Sequence, residues 1–166
     1  DQAERRAVSG DNEGWPLVIH TMKLVQARWC GSHAELHAEA ERVMELYDPE
    51  AHGHFVHMFG NDPLVLAYGF RSWSNWLEGD DAAARADVSA CEVTSRAVGH
   101  PFDRCWQLLV GSLVYYFSGD RDALARNLQE AKDLARAQNV DFVNYVVGPV
   151  WTGLVHILDA RWEDAI

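Results

Sequence analysis

The sequence is short of basic residues, of cysteine and of long apolar runs, and each shortage excludes a class of protein. Fourteen Lys and Arg stand against twenty-five Asp and Glu, a net charge of −11, so a phosphate backbone or an anionic bilayer is repelled on average. No nucleic-acid partner and no membrane partner is expected. The three cysteines, Cys30, Cys91 and Cys105, are odd in number and never form a CxxC pair, which argues against a disulfide framework; they read as buried free thiols in a reducing cytoplasm. No segment approaches the roughly twenty consecutive apolar residues of a membrane span, and the opening DQAERRAVSGDNEG carries no apolar signal core. A cytoplasmic protein is expected. Strand signals are missing too, with no alternating polar and apolar run of any length and no Asn-Gly or Asp-Gly hairpin turn. GxSxG is absent, and no Ser/His/Asp or Cys/His set has recognisable flanks. The chain is therefore expected to be non-catalytic and to need no cofactor.

What the 166 residues do hold, at 48% hydrophobic and 23% charged, is enough apolar material for one domain with a real core. Glycine followed by a small or charged residue recurs where an apolar run stops and an alanine-rich run begins. The places are CGSHAELHAEAERV (30–43), EGDDAAARADVSAC (78–91) and SGDRDALARNLQEA (118–131), with DARWEDAI (159–166) as a fourth. Gly31 to Gly79 is 48 residues, Gly79 to Gly119 is 40, and Gly119 to Ala160 is 41. Such spacing marks a helical repeat. The units run over about 15–60 with a loop insert at 48–61, then 61–99, 100–139 and an incomplete 140–166.

Each unit holds two helical patterns. Asn61-Asp62-Pro63 announces one helix with a polar cap and a proline in the first turn, where the missing N–H costs nothing. Leu66, Phe70, Trp73 and Leu77 then fall at helical spacing. His100-Pro101 opens the next helix in the same way, and WQLLVGSLVYYF is apolar nearly all round, as suits a helix packed on several sides. The partners at 81–98 and 121–138 are amphipathic and suit an outer layer. Over 140–160, Gly148-Pro149 predicts a kink or a break into two shorter helices. The predicted fold is all-α: antiparallel helix pairs, seven helices or slightly more, stacked as a right-handed α-solenoid. The apolar stripe that ends at ARWEDAI has no full partner, so a fragment of a longer protein is expected.

Taken together, ELYDPEAH, then GNDPLV, then a Trp-rich helix ending WLEGD, then HPF opening the next pair, resemble the tetratricopeptide-like C-terminal region of bacterial multidomain signalling proteins. In those proteins a class III adenylate/guanylate cyclase domain and a STAND-type ATPase precede the repeats. The resemblance covers about residues 36–166. It implies a tetratricopeptide-like solenoid acting as a regulatory scaffold, and it supplies a histidine at position 52. It carries no cyclase or ATPase activity over, because these residues contain neither a cyclase motif nor a GxxxxGK[ST] phosphate loop. With the marker glycine at the fifteenth place of the pattern, Ser72, Ser112 and Gly153 take the eighth, where a small residue lets two helices approach. Arg71 and Asn75 take the seventh and eleventh places, which are normally large and apolar.

In repeat solenoids the first helix of each pair lines the concave face. The register puts Val18, Thr21, Val25 and Arg28 there, then Leu66, Gly69, Trp73 and Trp76, then Trp106, Leu109, Leu113 and Tyr116, then Val147, Val150, Leu154 and Ile157. Arg28, Trp73, Trp76, Trp106, Leu109 and Tyr116 are the candidate partner-binding residues, since Trp, Tyr and Arg dominate binding hot spots; the competing reading makes the same rings core. The partner expected is a protein or peptide segment, or a domain of the same polypeptide, whose docking biases an attached output domain. A second reading places a metal or small ligand at His52, His54 and His57, with Asp48, Glu50 or Asp62 completing a tetrahedral zinc. Against it, Phe55, Val56, Met58 and Phe59 suit an insert folded over helix ends with its imidazoles as hydrogen-bond partners, and no metal is expected. A third reading is the sensor region of a transcription regulator. Among the remaining polar residues, Arg71, Asn75 and Arg104 interrupt apolar stripes; an arginine there stacks on a ring, forks onto a carboxylate such as Glu78, or lies on a solvated edge. Asp80, Asp81 and Asp120 read as answers to helix dipoles, and His20, His33, His37, His100 and His156 as structural.

Overall fold

Every regular element among the described residues of the computed structural model is helical, and local chemistry sets where each helix starts and stops. Residues 14–30 and 32–159 are described; the repeat markers Gly31 and Ala160 lie outside them. The order is α1 (Trp15–Cys30), α2 (His33–Leu46), α3 (Pro49–His52), α4 (Phe55–Phe59), α5 (Pro63–Leu77), α6 (Asp81–Val98), α7 (Pro101–Phe117), α8 (Arg121–Gln138), a π-helical turn (Val143–Val147) and α9 (Gly148–Leu158).

The reversals from α5 to α6 and from α7 to α8 are built alike. At each, a glycine takes a left-handed backbone, φ +89° at Gly79 and +69° at Gly119, a region closed to most side chains. The next residue's N–H reaches five back, Asp80 to the Asn75 carbonyl and Asp120 to the Tyr115 carbonyl, both at 2.9 Å. That residue then caps the following helix, Asp80 accepting from the Ala83 N–H and Asp120 from the Ala123 N–H. The α1–α2 reversal repeats the five-residue bond, Ser32 N–H to the Ala27 carbonyl at 3.3 Å. Between pairs the chain turns at a second set of left-handed residues, Gly60, Gly99 and Asn139. At the two described glycine markers, Gly79 and Gly119, the turn chemistry is the same.

The segment expected as a loop at 48–61 is two short helices instead. Asp48 accepts the Glu50 N–H and Pro49 opens the first, while Gly60 at φ +79° stops the second. The break expected near Gly148-Pro149 takes the form of the π-helical turn, in which the Gly148 N–H reaches Val143. Proline's absent N–H and its ring are accommodated by the widened turn that precedes it.

Packing follows the chain. α1 lies on α2 and α5, α2 on α5, α5 on α6 and α7, α6 on α7, α7 on α8, and α8 on the π turn and α9. One core cluster joins α1, α2, Phe55 and α5 through Leu17, Leu24, Val43 and Phe70; another joins α7, α8 and the last turn and helix through Leu108, Leu124, Val143 and Trp151. Of the residues placed at the eighth position, Ser72 and Ser112 are fully buried, their hydroxyls turned back onto the carbonyls of Gly69 and Leu108, whereas Gly153 is half-buried. A Cβ on Gly69 would stand 3.3 Å from a Val110 methyl, so α5 and α7 meet there almost backbone to side chain.

Candidate functional site

The candidate groove residues divide into three groups. Arg28 lies over Trp73, its guanidinium carbon 3.2 Å from the ring centre and 6.0 Å from that of Phe70. Burial of the guanidinium lowers its pKa to about 10, and the stacking offsets part of that desolvation. Phe70 meets Trp106 edge to face at 6.0 Å, so Arg28, Trp73 and Trp106 belong to one aromatic cluster. Trp76 and Tyr116 belong to another: Trp76 stacks on Phe117 at 4.8 Å and donates its indole N–H to Ser118, and Tyr116 meets Phe117 edge-on at 5.2 Å. Leu109 leaves the predicted groove. It is 4% exposed and packs in the α7–α8 core, because α7 is contacted by both α6 and α8 there.

Beside the first cluster lies an apolar cavity of about 230 Å³, bounded by α1, α4, α5 and α7. Val18, Thr21, Val25, Leu66 and Trp106, all assigned to the concave face from the sequence, line it together with Phe55 and Phe59 of the insert. Around it large apolar side chains stand in solvent: Trp29 is 73% exposed, Met22 50% and Phe59 46%. Sequence reasoning missed these rim residues. Trp15, Met22 and Trp29 are spaced by seven, a signal hidden because the register in use selected Val18 and Val25 as the outward positions and left their neighbours unread.

The three histidines of the insert do not converge. His52 is buried and accepts the Asp48 N–H on Nδ1 at 3.0 Å, with Tyr47 and Phe55 rings beside it. His54 turns its edge to Phe55 at 4.6 Å, and His57 faces His100 at 5.8 Å; both are exposed. Of the three proposed fourth ligands, Asp48 caps α3 and Asp62 caps α5, while Glu50 stands exposed in the first turn of α3. Among the described residues no three His, Cys, Asp or Glu side chains are grouped to hold a metal ion, and His52, His54 and His57 in particular do not form a ligand set. Each imidazole instead meets an aromatic ring of the packed insert or its neighbour.

Polar residues inside the stack tie helices together. Arg71 does not lie on a solvated edge and does not reach for Glu78; it forks onto Asp87 of α6 through Nε (2.8 Å) and Nη2 (2.7 Å), and Asn75 adds a third bond to the same carboxylate at 2.9 Å. That explains polar residues at two places where the repeat pattern wants apolar ones. Arg104, 9% exposed, is held by Gln107 and Glu130 and lies near Glu92. A second buried system was not foreseen. The Tyr47 hydroxyl donates to Asp62 Oδ2 at 2.5 Å, while the Asp62 N–H donates to both oxygens of Asp103 at 3.0 and 3.1 Å and the Asn61 amide adds a fourth bond at 2.9 Å. Both carboxylates have no exposed surface. Burial raises the pKa of Asp62, and lifts that of Asp103 to about 6. Of the thiols, Cys91 and Cys105 are buried, burial pushing Cys105 up to about 11, but Cys30 is exposed at the end of α1, contrary to the expectation of three buried thiols.

Among the described residues no helix is long and apolar enough to cross a membrane. Comparison with protein-family models, curated proteins and solved structures returns no match.

Proposed function

We propose that the chain is a non-catalytic interaction module, a tetratricopeptide-like stack of helix pairs that regulates a larger signalling protein by docking a protein segment or a neighbouring domain. The observation that carries this reading is the apolar cavity of about 230 Å³ whose rim keeps Trp29, Met22 and Phe59 in solvent. Exposed apolar side chains gathered round a concavity are costly to leave in water and mark binding surfaces. The stacking half of the proposal is supported by the recurring turn chemistry and by packing that passes from each helix to its near neighbours along the chain. Signalling and the cyclase–ATPase context come from the sequence resemblance alone, and the cytoplasmic setting from the cysteine pattern and the lack of a signal core or membrane span in the sequence.

The test is site-specific photocrosslinking. With p-benzoylphenylalanine at position 29, ultraviolet light is expected to join the module to one discrete protein species, or to a domain of its own polypeptide. The same group at Ala125, exposed on α8, is expected to give none. Equal crosslinking from both positions, or none from position 29, would refute the reading.

A further inference from the structure

We infer that the cavity beside the insert is a site for a neutral phenol ring, the side chain of a tyrosine on the docked segment. The source of that ring rests on the interaction-module reading; its chemistry rests on the residues of the cavity wall. Size comes first. A cavity of roughly 150 Å³ accommodates benzene, and this one, at about 230 Å³, takes a substituted six-membered ring. Trp29, Phe55, Phe59, Phe70 and Trp106 all stand in its wall, surroundings that favour an aromatic guest.

Charge and hydrogen bonding select the substituent. Among the described residues none in the wall is ionisable, and the Arg28 guanidinium near Phe70 is already held over Trp73. A carboxylate or an ammonium would therefore enter without a counter-ion, whereas a phenol, with a pKa of about 10, enters uncharged. The indole N–H of Trp106 is buried and has no hydrogen-bond partner among the described residues, although a buried tryptophan usually finds one. The Trp73 indole N–H also has none, but Trp73 is not part of this wall. Asn61 commits its amide nitrogen to Asp103 at 2.9 Å, which leaves its carbonyl oxygen as an acceptor. Thr21 gives its hydroxyl proton to the Leu17 carbonyl at 2.8 Å, which leaves its oxygen as another. The wall thus combines one donor with two acceptors, the complement of a hydroxyl group. A phenylalanine ring would occupy the same volume and leave the Trp106 N–H unpaired.

The experiment titrates p-cresol, the tyrosine side chain with a methyl at its attachment point, and toluene, the phenylalanine counterpart, into the isotopically labelled full chain, followed by nuclear magnetic resonance. The same titrations are run on Val25→Phe, which puts a larger apolar side chain at a half-buried wall position, with circular dichroism to check its helicity. The parent chain is expected to bind p-cresol about fivefold or more tighter than toluene, the worth of one hydrogen bond. The Trp106 indole N–H resonance is expected to move downfield with p-cresol and not with toluene, and Val25→Phe to weaken p-cresol by a similar factor. Equal affinity for the two probes, binding of neither, a Trp106 N–H resonance that p-cresol leaves in place, or unchanged affinity in a folded Val25→Phe would each overturn the inference. The first three outcomes are read on the parent chain and hold whether or not the variant folds. Saturating p-cresol is further expected to suppress crosslinking from position 29; selective p-cresol binding that leaves the crosslink intact would overturn the tyrosine source and assign the cavity to a free phenol. If neither probe binds while position 29 still crosslinks to one species, the interaction-module reading stands and the phenol site does not. If p-cresol binds selectively and position 29 crosslinks to nothing, the phenol site stands and the interaction-module reading does not.

Discussion

Asp103 and Asp87 are both buried carboxylates, and their partners give them opposite chemistry. Asp87 is met by the forked guanidinium of Arg71 and by Asn75, so Asp87→Ala strands a cation that is about one-fifth exposed. A loss of about 2–3 kcal/mol is expected in urea unfolding, somewhat below the cost of orphaning a fully buried charge, with Asp87→Asn intermediate. Asp103 is held by an amide and a backbone N–H rather than by a cation. Its pKa in the folded chain, about 6, lies above its ordinary 3.8, so the folded state takes up this proton more readily than the unfolded chain does. The stability gained from that proton is fully present below about pH 3.8 and is lost as pH rises through about 6. The parent chain should gain on the order of 2–3 kcal/mol relative to Asp103→Asn between pH 7.5 and pH 4. Measuring the difference between the two proteins removes the opposing titration of His100, whose pKa is lowered by burial and by His57. An unchanged difference across that range would contradict the assignment. At this scale the sequence was legible where the partner is local, as with the caps Asp62, Asp80 and Asp120. It was opaque where the partner lies a helix or more away, as with Arg71 to Asp87 across 16 residues and Asp62 to Asp103 across 41.

Helices in this chain are delimited by turns that need no tertiary information, which is why their existence could be read in advance. Gly79 and Gly119 have no neighbour within 4 Å of an added Cβ, so alanine at either site costs only backbone strain, about 1–2 kcal/mol for a left-handed residue. Gly79→Ala and Gly119→Ala should each lower the urea midpoint by a similar amount. Lying in separate turns, they should add in the double variant to within about 0.5 kcal/mol; strong non-additivity would mean that the two turns are not the independent copies described here. The histidine-bearing insert was misread as a loop because five- and four-residue helices are too short to show a period. Its proline start and glycine stop were visible in PEAHGHFVHMFG all the same. Leu109 was misassigned for a related reason: α7 is apolar nearly all round, so periodicity alone cannot say which side meets solvent.

Among the described residues the helices pack round separate core clusters, and an apolar surface is left open at α1 and the insert. Five of the cavity's lining residues were named from the repeat register, whereas the exposed ridges Trp15, Met22 and Trp29 were not. A large apolar residue in solvent looks in sequence like one in the core, and only the three-dimensional arrangement separates them. The central claim is that this surface captures a protein segment, and the most direct measurement is the affinity of the parent chain and of Trp29→Ala/Phe59→Ala for the species crosslinked at position 29. Phe59→Ala removes a cavity wall and Trp29→Ala removes its rim, while both side chains are largely outside the core. A loss of at least tenfold in affinity, with the helical circular-dichroism signal intact, is the result predicted; equal affinity of the two proteins would contradict it.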